Sequence, residues 1–117
     1  MMKTFAECKA VLDRTRYGKR KALGVKTYMA YVDGGNAIAI VYHKTAVVVH
    51  HRDGSFTLDM GDWPSPTTRK RMCQYSGARV SQRKYEQYVD YRGKTYHYQD
   101  GMTCYPNGEV TLAQEVA

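Results

Sequence analysis

The spacing of apolar and polar positions changes several times along this chain, and each change marks an element. Thr4 followed by Glu7 has the form of a capping box. Phe5, Cys8, Val11 and Leu12 then recur at helical intervals, and Gly18 is a stop signal. The pattern predicts a first helix from Phe5 to about Tyr17. From Lys26 the period shortens to that of a strand. Thr27 to Val32 and Ala37 to Tyr42 flank the turn Asp33-Gly34-Gly35-Asn36. Thr45 to His50 is almost wholly β-branched and apolar, which suits the centre of a sheet. After the turn Arg52-Asp53-Gly54, Ser55 to Met60 returns, and the set reads as a β-meander.

A second helix is predicted with Ser65 as N-cap, Pro66 in the first helical position and Gly77 as its stop. Further short strands follow: Arg79 to Arg83, Lys84 to Tyr91, Lys94 to Tyr98, Met102 to Tyr105 and Glu109 to Leu112. Turns at Arg92-Gly93, Gln99-Asp100-Gly101 and Pro106-Asn107-Gly108 separate the later ones. The expected architecture is a single α+β domain over residues 1–117, with a twisted antiparallel sheet of about seven or eight short strands and two α-helices packed on it.

Charge changes the picture most. The formal net charge is +7, which favours a polyanionic partner. Eleven Tyr stand against two Phe and one Trp; such rings either cover a sheet or offer stacking faces. Cys8, Cys73 and Cys104 are an odd number without metal spacing, the pattern of small buried hydrophobes in a reducing compartment. The N-terminus lacks the apolar run of a signal peptide, and no stretch approaches the roughly 20 residues of a spanning helix, so a soluble protein without a membrane partner is expected. His43, His50, His51 and His97 form no metal motif, and phosphate-binding loop and dinucleotide fingerprints are missing. Cys73 or Cys104 beside His97 is a conceivable nucleophile pair that no spacing favours. A protein without cofactor, metal or catalytic residues is expected.

Three groups carry candidate binding chemistry. Thr67, Thr68, Arg69 and Arg71 open the second helix, where free N–H groups, hydroxyls and guanidinium forks suit phosphate. Ordinary helix capping accounts for the same threonines. Arg79, Arg83 and Lys84 interleave with Tyr85, Tyr88 and Tyr91, which suits a base or ribose phosphate, or an amphipathic strand. Arg14, Arg16, Lys19, Arg20 and Lys21 follow the first helix and suit a nucleic-acid backbone, or a solvated helix end. Trp63, beside Pro64 and Pro66, reads as an anchor for the helix start. Asp59 and Asp62 read as turn formers rather than a carboxylate pair.

Asp53-Gly54-Ser55-Phe56-Thr57-Leu58, then Gly61-Asp62-Trp63, then Thr67-Thr68-Arg69-Lys70-Arg71-Met72, with a later Asp100-Gly101-Met102, resembles a family of small tailed-phage accessory proteins. The resemblance covers roughly the second half of the chain. Members often carry Asn after the Met, where this chain has Cys73. The resemblance implies a non-enzymatic role in host takeover or counter-defence, in the host bacterial cytoplasm. Three readings follow. One is a homo-oligomeric sponge that sequesters a phosphate-containing nucleotide signal in a basic, Tyr-lined pocket. Another is a basic nucleic-acid-binding protein. The last is an inhibitor docking on an acidic patch of a host protein.

Overall fold

In a computed structural model, residues 2–15, 18–61 and 64–116 are described. Helix α1 (Phe5–Leu12) opens the chain, and the Thr4 hydroxyl accepts the Glu7 N–H at 3.1 Å as its cap. Five strands then run as an antiparallel meander: β1 (Arg20–Gly24), β2 (Thr27–Val32), β3 (Ala37–Tyr42), β4 (Thr45–His51) and β5 (Phe56–Leu58). Helix α2 (Pro66–Tyr75) follows, then β6 (Arg79–Arg83), β7 (Glu86–Tyr91) and β8 (Lys94–His97). The chain returns through β9 (Met102–Cys104) and β10 (Val110–Thr111). The result is α+β: a seven-stranded sheet in the order β1-β2-β3-β4-β5-β9-β10 and a separate three-stranded sheet β6-β7-β8.

One expectation needs correcting, and one gains detail. The first helix ends at Leu12 rather than near Tyr17, with Asp13 as its C-cap; Arg16 and Tyr17 lie outside the described residues. The chain from Arg20 then enters β1, an edge strand that periodicity does not reveal. An edge strand is held by its backbone ladder to one neighbour, so its side chains need not alternate. The expected sheet of seven or eight strands is present with seven, and three further strands stand beside it as a small second sheet. After α2 the strands β6 to β8 form a sheet of their own, which Glu115 joins through a bridge to Tyr96, and β9 rejoins the large sheet beside β5.

Cross-strand partners share a face. Met29, Ile40, Val48, Leu58 and Met102 therefore form one buried row, and Ile38, His50, Phe56 and Cys104 the next. Both helices contribute to the core on this face: Phe5, Cys8 and Leu12 from α1, and Met72 from α2. Val47 has no partner in β3, because Ile40 pairs with Val48 and Val41 with Ala46. This bulge turns Val47 inward next to Val48. The small sheet joins the core through Val80, Val89, Tyr91 and Tyr96. Tyr91 meets Phe56 edge-to-face at 5.5 Å and its hydroxyl donates to the Tyr105 carbonyl at 2.6 Å.

His50 and His51 take opposite faces, as alternation requires. His51 bonds the Thr57 hydroxyl at 2.8 Å, while His50 is buried with Nε2 2.6 Å from the Tyr75 carbonyl at the end of α2. Burial pushes the His50 pKa below that of ordinary histidine, although the Tyr75 carbonyl pulls it up. The unfolded chain therefore takes its proton first as pH falls. The stability that neutral His50 contributes is present above about pH 6.5 and is lost as pH falls below it. Urea unfolding followed between pH 7 and pH 5 should show stability falling in the wild type, with a shallower fall in His50→Gln. Met72→Ala should cost about 2–5 kcal/mol in the same assay, since it empties a fully buried position between helix and sheet.

Candidate functional site

Helix α2 holds the densest candidate chemistry, and its periodicity sorts those residues onto different sides. Helical neighbours lie about 100° apart, so Arg69 and Arg71 point in nearly opposite directions. Arg69 turns to the small sheet, where its Nη1 donates to Gln87 Oε1 at 3.2 Å. Arg71 turns to the large sheet, where Nε donates to Thr27 Oγ1 at 3.1 Å and Nη1 to Gln74 Oε1 at 3.0 Å. Thr68 is buried, its N–H donating to the Ser65 cap at 3.1 Å. Thr67 is half-buried. The four residues are thus not gathered round one point.

The second group lies beyond Arg69, on the small sheet. Arg79 and Arg83 are exposed on β6. Arg83 stacks over Tyr88 at 5.2 Å, and the Tyr88 hydroxyl donates to Glu86 at 2.7 Å. Tyr85 is not a strand residue: with Lys84 it forms the β6–β7 turn, both at positive φ, and it is 93 % exposed. Arg79, Arg83 and Tyr85 therefore stand apart from Arg71. His97, on β8, packs against Tyr88 at 5.3 Å. Burial pushes the Cys104 thiol up to about 12, which removes it as a ready nucleophile. Cys73 Sγ accepts the Val80 N–H at 3.2 Å.

The basic cluster after α1 has a different fate from a helix end. Arg14 and Lys19 are exposed, Arg16 lies outside the described residues, and Arg20 and Lys21 lie exposed on the edge strand. The Arg20 guanidinium sits over the Tyr28 ring at 3.6 Å. Arg20 thereby becomes one wall of an open groove of about 680 Å³ at the end of the large sheet. Among the described residues, Ala22, Gly24, Lys26, Thr27, Tyr28, His43 and Lys44 complete its lining, without a carboxylate. Arg71 reaches its rim: a Cβ on Gly24 would stand 3.6 Å from Arg71 Nη2. The hydrogen bonds of Arg71 go to neutral oxygens, so its charge stays available to the groove.

Sequence reasoning missed Lys26, Tyr28, Tyr42, His43 and Lys44. A signal was there: residues 14–32 and 34–52 contain neither Asp nor Glu. Both Lys26 and His43 take positive φ in adjoining turns, and the His43 N–H donates to the Lys26 carbonyl at 2.8 Å. That bond holds the two turns side by side. A further groove, between β8 and β10, mixes Arg92 and Lys94 with Glu109 and Glu115 and lacks this one-sided charge.

Beside the basic groove, under the start of α2, is a smaller cavity of about 270 Å³ lined by Tyr42, His43, Thr45, Val47, Met60 and Thr68. His43 belongs to both spaces. Met60 is held by its backbone, whose N–H donates to the Tyr98 hydroxyl at 2.7 Å and to Asp100 Oδ1 at 3.0 Å. The Tyr98 hydroxyl in turn donates to Asp100; burial, then this carboxylate, push its pKa far above the ordinary tyrosine value. Gly61 packs behind Thr45 at φ +62°, where a Cβ would stand 2.8 Å from Thr45 Oγ1. Asp59 accepts the Gly61 N–H at 2.6 Å, the turn-forming role expected of it. Asp62 and Trp63, and with them the expected Trp anchor, lie outside the described residues.

The family model described as Kyanoviridae Gp96 protein matches residues 2–105. The chain belongs to the Kyanoviridae Gp96 family. This is a family of tailed-phage proteins, and the match includes α1 and the strands β1 to β4, which lie outside the Gly-x-Trp and Thr-Thr-basic pattern. No curated protein and no solved structure matches the chain. No helix among the described residues is long and apolar enough to cross a membrane.

Tyr98→Phe should lower stability by about 1 kcal/mol in urea unfolding, since the Met60 N–H keeps Asp100 as an acceptor. It should also loosen the cavity wall, seen as faster hydrogen exchange at the Met60 amide.

Proposed function

We propose that this phage protein is a non-catalytic binder that sequesters a phosphate-bearing nucleotide, acting against a host signal in the host cytoplasm. One observation carries the reading: Arg20, Lys26, His43 and Lys44 surround a groove whose lining holds no carboxylate, with the Arg71 fork at its rim and Tyr28 on its wall. A phosphate there meets cations from β1, both turns and α2 at once. Guanidinium forks held by neutral acceptors suit phosphate oxygens. Tyr28 already carries Arg20 on its ring, and Tyr42 lies 5.9 Å from the Arg71 guanidinium, so rings and charges are interleaved as a nucleotide needs. A homo-oligomer fits the same reading, because β1 forms an outer edge of the seven-stranded sheet.

A second reading, nucleic-acid binding, is favoured by Lys19, Arg20 and Lys21, which run as consecutive exposed cations along that edge past the groove. A polynucleotide would track such a line and bind with steep salt dependence.

Calorimetry with nucleoside di- and triphosphates, beside mass spectrometry of small molecules released on heat denaturation, tests the first reading. Arg71→Ala and Lys44→Glu should each weaken nucleotide binding by about tenfold or more, the loss of one charge-assisted contact. If single-stranded DNA binds instead, and Arg71→Ala only lowers the salt slope by about one, the nucleic-acid reading replaces it. If neither ligand binds, the groove is a docking surface for an acidic protein.

A further inference from the structure

We infer that the cavity beside the groove is the seat of a single heteroaromatic base, so that the ligand is a mononucleotide with its ring under α2 and its phosphates in the groove. This rests on the nucleotide reading and adds which end of the ligand goes where. The two spaces share His43 as a wall. Arg71 reaches toward both, with its guanidinium 5.9 Å from the Tyr42 ring on the cavity side and Nη2 beside Gly24 on the groove side. A ligand spanning both spaces would pass these two residues, with its charge toward the cations and its uncharged end inward.

The cavity has the size and walls for such an end. Its volume of about 270 Å³ lies just under the range of roughly 300–1,000 Å³ that whole small ligands occupy, so it suits one ring system rather than an entire ligand. Tyr42, Val47 and Met60 give it apolar and polarizable walls, which favour a flat aromatic guest. The Thr45 hydroxyl lines it without a hydrogen-bond partner among the described residues, and it can donate to or accept from the edge of a base. The walls are fixed before the ligand arrives. Met60 is tied by Tyr98 and Asp100, Val47 sits at the β4 bulge, and Gly61 leaves no room between the turn and Thr45. Preorganised walls lower the entropy cost of binding.

The test compares adenosine, guanosine and uridine diphosphates with inorganic pyrophosphate by calorimetry, in the wild type, Val47→Phe, Thr45→Val and Lys44→Glu. At least one nucleoside diphosphate should bind the wild type about tenfold or more tightly than pyrophosphate. Val47→Phe fills the cavity, and should bring the two affinities within about twofold while leaving pyrophosphate binding unchanged. Thr45→Val keeps the shape and removes the hydroxyl, so it should alter the ranking of the bases by about threefold without affecting pyrophosphate. A thermal melt checks that each variant is folded; if Val47→Phe is not, Thr45→Val decides. Pyrophosphate binding as tight as any nucleotide, or an unchanged base ranking in Thr45→Val, overturns the base seat. The groove reading then stands, provided Lys44→Glu weakens pyrophosphate. If no diphosphate binds the wild type, both readings fall together.

Discussion

The seating of α2 across two sheets is the constraint on which the rest of this molecule depends. The helix is held to the large sheet at two points along its length. Met72 is wholly buried at its middle, and the Tyr75 carbonyl meets the His50 ring at its end. Because of these two points, the helix cannot rotate about its axis without uncovering Met72 and breaking a buried hydrogen bond, which is costly away from water. Its rotation decides that Arg69 serves the small sheet and Arg71 the large one. The same rotation places Thr68 over the cavity wall. Core packing and candidate chemistry are thus two outcomes of one helix orientation.

The second theme is the pairing of two turns. The β1–β2 and β3–β4 connections meet through the His43 to Lys26 hydrogen bond. Each turn puts a residue with a side chain into the left-handed region, at Lys26 and at His43, where glycine is the easier choice. Such backbone is tolerated where the surroundings enforce it, and here the ladder on both sides of each turn does so. The consequence is a concentration of positive potential at one end of the sheet, held by backbone rather than by ion pairs. The ion pairs of Lys9 with Asp13 and Lys94 with Glu115 are exposed, and neither involves a residue of this groove.

Much of the fold is legible in the chain. Strands β3 and β6 begin and end where alternation places them, and the Ser65–Pro66 start of α2 follows from its capping chemistry. The misses have separate causes. Strand β1 reads Arg-Lys-Ala-Leu-Gly, which has no alternation because an edge strand buries almost nothing. The division into two sheets is decided by which strand β9 joins, a long-range choice that local pattern does not carry. The basic residues of α2 were visible as a group, but adjacency in sequence is not adjacency on a helix. The groove was hidden for the opposite reason: Arg20, Lys26, Lys44 and Arg71 are scattered along the chain and meet only after folding.

The bulge at Val47 divides β4 into two stretches with separate duties. Beyond it, Val48 and His50 are bound to the core by their register with β3 and β5. Before it, Thr45 and Ala46 pair only with the end of β3 and face the turn. A bulge absorbs a shift in register locally. Substitutions before Val47 can therefore reshape the cavity without altering the face that holds the sheet together. A central strand thus carries, on either side of one extra residue, a stretch that lines the cavity and a stretch that holds the core.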